Sequence, residues 1–463
     1  MAAVRRVVHI TLSLAGAVTG ILLLLAGTAC PGAVIKVSPA DSPAEVYSKI
    51  ESARAGDEVI IAPGTYTCRV HLAAQGTAER PITIRAEDPA NRPVWDFGSK
   101  LVEDAPGSYK AGDRGRGAWQ ISGGAFYRIS GIVFKGARCA SRNSAGIRYY
   151  NHTTDLLIRD CIFRSNDDGL TGGTQHSDAT VEFCEFDGNG NADAKDPTHN
   201  LYIYGGFLTL RYCYVHDSAQ ASGANFHIRA EQSTLEYNWF ARAANYEGDL
   251  MSNDDFNHDK TGGPFVQTML LRGNVFLQGA HPGNHSHIVV AYNDTKLANL
   301  TLNLIAINNT CVANGIRGEG GEAAFVRLSN SDGTAMSAIV SNNLIFDTKV
   351  PTLANNPARG KISGRGNWMA TGVNPGPLTE SVFSATPGFR NAAAKDFTLA
   401  PGSAAIKGAA PFVPLGATKE YFQNETTARQ YRRRTSTNDI GAFESTTAGG
   451  GIDGSTDRGG GGK

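Results

Sequence analysis

LLIRDCIF (156–163), TVEFCEF (180–186), LTLRYCYV (208–215), STLEYNWF (233–240), MLLRGNVF (269–276), LIAINNTC (304–311) and AIVSNNLI (338–345) align without gaps around one position. That position is occupied by Cys161, Cys184, Cys213, Asn238, Asn274, Asn309 and Asn343. The steps between them are 23, 29, 25, 36, 35 and 34 residues. A short strand, a small polar or sulfur residue and a second apolar pair, repeated at such intervals, mark a β-solenoid in which each repeat is one coil. Coils stack at the inter-strand spacing of ~4.8 Å, so equivalent residues form ladders. An inward Asn in a ladder satisfies backbone groups and bonds the Asn of the next coil. A β-propeller would require regular four-stranded blades, which these uneven steps do not supply.

Outward from the repeat, NLYIY (200–204) and NFHIR (225–229) give a second strand per coil. They are 25 residues apart, as Cys213 and Asn238 are, so two anchors agree on the register. Alternation along a strand turns Leu201, Ile203, Phe226 and Ile228 inward. Asn200, Tyr202, Tyr204, Asn225, His227 and Arg229 are then expected to face outward, with Asn over Asn, Tyr202 beside His227 and Tyr204 beside Arg229. In the next coil Asp249, Met251 and Asn253 flank an inward Leu250, and His199 borders the first row. Upstream, Ser42-Pro43-Ala44-Glu45 is a capping box with Pro at the first helical position. Val46, Ile50 and Ala53 give one amphipathic turn set before Gly56. The expected architecture is all-β: a right-handed parallel β-helix over 30–445, with a short N-terminal capping helix. The Gly-rich segment 446–463 reads as a flexible tail.

The first 29 residues read as a secretory signal peptide, with Arg5 and Arg6, an apolar run Leu14–Leu25, and small residues before Cys30. Cys30 also admits lipid anchoring, although Gly27 stands where a lipobox usually has Leu. A retained membrane anchor is the third alternative. No later segment approaches the ~20 apolar residues of a membrane span, so the expected location is secreted or extracytoplasmic. Six cysteines remain after Cys30, and three of them share the ladder position with Asn. They are expected to be buried small hydrophobes rather than half-cystines, and without a CxxC pair a structural zinc site is not expected. Lys plus Arg and Asp plus Glu are 43 each. That balance argues against a partner held by overall charge, such as nucleic acid or an acidic membrane. A monomer is expected.

GDEVIIAPGTYT (56–67) with GTAERPITIRAE (76–87), and TPGFRNAAAKDFTLAPGSAAI (386–406) with DIGAFE (439–444), resemble the opening and closing coils of secreted right-handed parallel β-helix proteins. The nearest likeness is the chondroitinase-B and alginate-lyase family of the pectate-lyase-like superfamily. THNLYIYGG (198–206) and FHIRAEQSTLEYN (226–238) are similar to exported bacterial β-helix proteins with HNxY and KSRA signatures. The resemblance implies a polysaccharide substrate and β-elimination, or epimerisation, at a uronate. The lyases of this family use a Lys and an Arg with calcium; here the Lys position holds His227 and the Arg position Arg229. Calcium is therefore an open cofactor. His227 and Tyr202 are expected as base or acid, and Arg229 with Asn225 as the carboxylate holder. Asn200, Tyr204, Asp249, Asn253 and His199 complete the expected substrate face.

Two other classes stand beside this one. A glycoside hydrolase would draw on Asp167, Asp168, Asp249 and the Asp254-Asp255 pair. Asp168 and Asp249 lie about three coils, roughly 14 Å, apart, wider than the ~6.5–9.5 Å of an inverting pair. A non-catalytic glycan-binding rod would need none of these residues. The run Asp187–Asp193 alternates oxygen ligands as a calcium loop does, although a plain turn explains it as well. His281, His285 and His287 lack metal spacing, and Arg432–Arg434 reads as solvated surface.

Overall fold

The computed structural model describes residues 31–445 except 99, 109–115, 142, 175, 194–196, 220–222, 254–264, 282, 292–299, 315–323, 331–334, 412, 414 and 422–428, together with 453–455. The expected signal peptide and the Asp254-Asp255 pair lie outside the described residues. Ser42 caps the helix Pro43–Glu51 through the expected box with Glu45, and Val46 and Ile50 are its buried face. After it the chain winds through three parallel sheets of 12, 10 and 12 strands, each taking every third strand in chain order except at the first step of one and the last step of another. This is the right-handed parallel β-helix expected from the repeat. No helix among the described residues is long and apolar enough to cross a membrane.

The Cys/Asn position lies inside, immediately after a backbone corner. The residues before it, Asp160, Phe183, Tyr212, Tyr237, Gly273, Asn308 and Asn342, all have positive φ, between 52° and 64°. That left-handed turn swings the next side chain into the interior. The amide N–H of Cys161 donates to Cys184 Sγ, that of Cys184 to Cys213 Sγ, and that of Cys213 to Asn238 Oδ1. The ladder runs on through Asn274, Asn309 and Asn343 to Asn367, each Asn donating to the next at 2.9–3.1 Å. Cys68, Cys139, Cys161, Cys184, Cys213 and Cys311 are all buried and free. Aromatic stacks fill the rest of the core. One runs from Trp95 through Trp119, Phe134 and Phe163 to Phe186, with ring centroids 4.7–5.3 Å apart.

Bulky residues in the left-handed region are strained, and Phe183, Tyr212 and Tyr237 occupy it on consecutive coils. A C-terminal strap covers them. Tyr431 stacks on Tyr212 at 4.2 Å, Ala417 packs into the cluster, and Lys419 donates to the Tyr212 hydroxyl. Arg429 is buried beneath the strap and donates to Glu185, Asp160 and the Phe183 carbonyl. Arg434 is buried as well, donating to the Asp439 and Gly441 carbonyls, so only Arg433 of that basic run fits the solvated reading. Within 446–463, Gly454–Ser455 pairs antiparallel with Gln430–Arg433, so this part of the expected tail is a strand.

Candidate functional site

The middle sheet carries the polar face. Its register places one residue per coil in a single row: Gln120, Arg148, Thr171, Tyr202, His227, Asp249, Val289 and Arg327. Leu201, Ile203, Phe226, Ile228 and Leu250 are fully buried on the other face, as alternation requires. Tyr202 pairs with His227 in register, as expected, and their rings meet edge-on at 4.9 Å. Tyr204 and Arg229 each follow the Ile203–Ile228 pair by one residue.

His227 is held on two sides. Its Nδ1 lies 2.9 Å and 3.0 Å from the two Asp249 carboxylate oxygens. Asp249 is nearly buried and accepts the Nδ1 proton, so neutral His227 presents an Nε2 lone pair. The His199 ring stacks on His227 at 4.6 Å, 16° from parallel. His199 Nδ1 accepts the Ala224 amide N–H at 3.0 Å, which leaves the proton on Nε2. Burial, with the nearby charges of His227 and Arg229, holds His199 well below the usual imidazole range. His199 thus stays a neutral backing ring rather than a groove wall.

Three further expected site residues are corrected. Asn200 and Asn225 are completely buried and do not face the groove. Each strand begins one residue later, at Leu201 and Phe226, so both Asn side chains belong to the corner, where alternation does not apply. They are rungs of a second interior ladder: Asn166 to Asn189, Asn189 to Asn200, Asn200 to Asn225, and Asn225 to Glu247, at 2.7–2.9 Å. Asn253 is also buried; its Nδ2 donates to the carbonyls of Tyr204 and Arg229 at 2.8 and 2.7 Å. It fixes the backbone that carries the site. The run 187–193 contains ladder residue Asn189, with Asn191 donating to Asp167, so it is a structural turn.

The carboxylates suggested for hydrolysis are buried too. Asp167 accepts from Arg138, Asn191 and the amides of Cys139 and Ser144. Asp168 is fully buried, accepts the His199 amide at 2.7 Å, and has no hydrogen-bond partner on Oδ2. Burial pushes its carboxyl from 3.8 up to about 7. Protonated Asp168 therefore stabilises the fold fully below pH ~4, and that contribution is lost as pH rises through about 7. The loss reaches at most about 4 kcal/mol at 1.36 kcal/mol per pH unit. Asp168→Asn removes the titration, so its stability relative to wild type should rise between pH 4 and 8, measured by denaturant unfolding. A flat difference would contradict the assignment.

A calcium ion in the groove would need about six to eight oxygen ligands there. Asp249 is the carboxylate of the row, and it is engaged by His227. Among the described residues, the one His and carboxylate set close enough to hold a metal, Glu185, Asp187 and His216, lies on another sheet. Arg164 and Arg429 already neutralise its carboxylates. The described residues do not fit a calcium ion in the groove.

Sequence reasoning missed Arg148, Thr171 and Arg327. Tyr202 and His227 stand 11 residues before Cys213 and Asn238, whereas Arg148 and Thr171 stand 13 before Cys161 and Cys184. The intervening turns differ in length, so alignment on the ladder residues alone does not bring the row together.

The sequence model of the chondroitinase B family matches residues 40–96, the capping helix and opening coils. No curated protein matches the chain. Among solved structures, pectate lyase Pel9A is similar over 90% of this chain and 97% of its own, at 14% identity and a TM-score of 0.53. The PL6 polysaccharide lyase Pedsa3628 from Pseudopedobacter saltans is similar over 76% and 92%, at 13% identity and 0.46. PL6 alginate lyase AlyGC is similar over 90% and 57%, at 15% and 0.45. In its opening coils the chain is similar to the chondroitinase B family, and in its fold to a pectate lyase built as a parallel β-helix.

Proposed function

We propose that this protein is an exported polysaccharide lyase that cleaves a uronate-containing chain by β-elimination. The observation that carries this reading is His227, fixed by Asp249 and His199, with Tyr202 against its edge. The proton on C5 of a uronate is barely acidic until the adjacent carboxylate is neutralised. Arg229 is the permanent cation beside this cluster, close enough for its charge to act on His199. In this reading Arg229 holds the carboxylate and His227 Nε2 takes the C5 proton. The electron pair forms the C4–C5 double bond as the C4–O4 bond breaks. The Tyr202 hydroxyl gives its proton to the departing oxygen, and solvent returns the proton from imidazolium to phenolate. Low identity to the solved lyases leaves these roles to the geometry of the groove itself.

The test is the ultraviolet absorbance of an unsaturated uronate, followed over pectate, alginate, chondroitin and hyaluronan with calcium and with chelator. A rise on at least one polymer that persists in chelator is expected. New reducing ends without that rise would overturn elimination. Tyr202→Phe should lower turnover by ~100-fold, the lower range for a proton-transfer group, with KM little changed. Unchanged turnover would remove Tyr202 from the proton path.

A further inference from the structure

Several arginines on the other faces of the helix have carboxylate partners. Arg159 and Arg211 share Glu182, Arg164 meets Asp187, Arg242 meets Asp217 and Arg272 meets Glu236. The row in the groove differs. Arg148 lies two strands before Tyr202, and Arg327 two strands after Asp249. Neither has an ion-pair partner among the described residues. Arg148 Nη1 and Arg327 Nε and Nη2 are buried with no hydrogen-bond partner.

Both arginines lean toward the centre of the row. The Arg148 guanidinium lies 5.7 Å from the Tyr204 ring centroid, and Tyr204 is on the Tyr202 strand's own coil. The Arg327 charge acts on Tyr246 and His285, whose rings stack at 5.7 Å and which precede the Asp249 and Val289 strands. Half-buried cations with orphaned donors are costly unless an anion completes them. A guanidinium fork suits a carboxylate in particular.

We propose that Arg148 and Arg327 hold uronate carboxylates on opposite sides of the sugar at His227, so the chain lies along the helix axis. The inference rests on the lyase reading for the central sugar, but its binding chemistry is independent of turnover. From the Arg148 strand to the Arg327 strand is six inter-strand steps. At ~4.8 Å per step that is roughly 29 Å. An extended 1,4-linked chain advances about one such step per sugar. Counting the sugars at both ends, the groove therefore takes a polyanion of about seven sugars, with charge required on both flanks as well as at the centre.

The experiment uses the full chain carrying His227→Ala, which binds without cleaving, and calorimetry with oligogalacturonates of two and about seven sugars. Adding Arg148→Ala or Arg327→Ala should each weaken the longer oligomer by about tenfold and flatten its salt dependence. The disaccharide should be unaffected. A carboxyl-reduced oligomer should bind weakly and equally to all three proteins. Equal affinity of the long oligomer for all three, or equal loss for the disaccharide, would overturn the proposal. If no polymer is cleaved by the wild type while these arginine-dependent losses persist, the lyase reading fails and the flanking sites stand.

Discussion

His227→Ala is expected to lower turnover on the preferred polyuronate by ~1,000-fold, within the range for removal of a positioned general base. The side chain stands on the outer face of its strand, beside the fully buried Phe226 and Ile228. Folding should survive the change, which unfolding curves superimposable on wild type would confirm. Asp249→Asn is the sharper companion. An Asn amide can donate to Nδ1, which moves the ring proton to Nε2 and removes the lone pair from the groove. A loss of ~100-fold or more is expected, with substrate affinity retained. If Asp249→Asn were fully active, Asp249 would not set the tautomer, and His227 would not be the base.

The largest stability effect is expected at Arg429, more than 240 residues along the chain from all three of its partners. Arg429→Met removes a buried cation that donates to Glu185 Oε2 at 2.8 Å, Asp160 Oδ1 at 3.3 Å and the Phe183 carbonyl at 2.6 Å. Arg164 and His216 remain near Glu185, and Arg92 near Asp160. Breaking a buried ion pair from one side typically costs about 3–5 kcal/mol. The strap also covers the strained turns at Phe183, Tyr212 and Tyr237, so its release exposes their rings. Because a solenoid can unfold in parts, proteolysis within the strap should accelerate before the central coils open. Restoring neutrality with Arg429→Met and Glu185→Gln together should recover part of the loss. Equal stability of Arg429→Met and wild type would mean that the strap is dispensable.

The fold was largely legible because a ladder demands the same residue class at one place in every coil. Cys161 to Asn343 is that demand written in sequence, and its positive-φ neighbour supplies the corner. Tyr202 and His227 stand on the paired NLYIY and NFHIR strands, whose shared pattern brings them and Arg229 together in the sequence. Asn200 and Asn225 looked like groove residues because strand alternation was extended one residue too far. The second ladder changes its place in the coil, from the turn at Asn166 and Asn189 to the strand start at Asn200 and Asn225. No fixed spacing marks it. Asp167 and Asp168 suggested a carboxylate pair for a related reason: adjacency in sequence carries no information about burial in a corner. Arg148 and Arg327 were hidden by turns of unequal length.

Whether this groove eliminates or hydrolyses is decided most directly by the mass of the oligosaccharides released in water labelled with heavy oxygen. Elimination predicts new non-reducing ends that lack one water and new reducing ends without label, lost together in His227→Ala. Saturated fragments that carry the label would contradict the central claim.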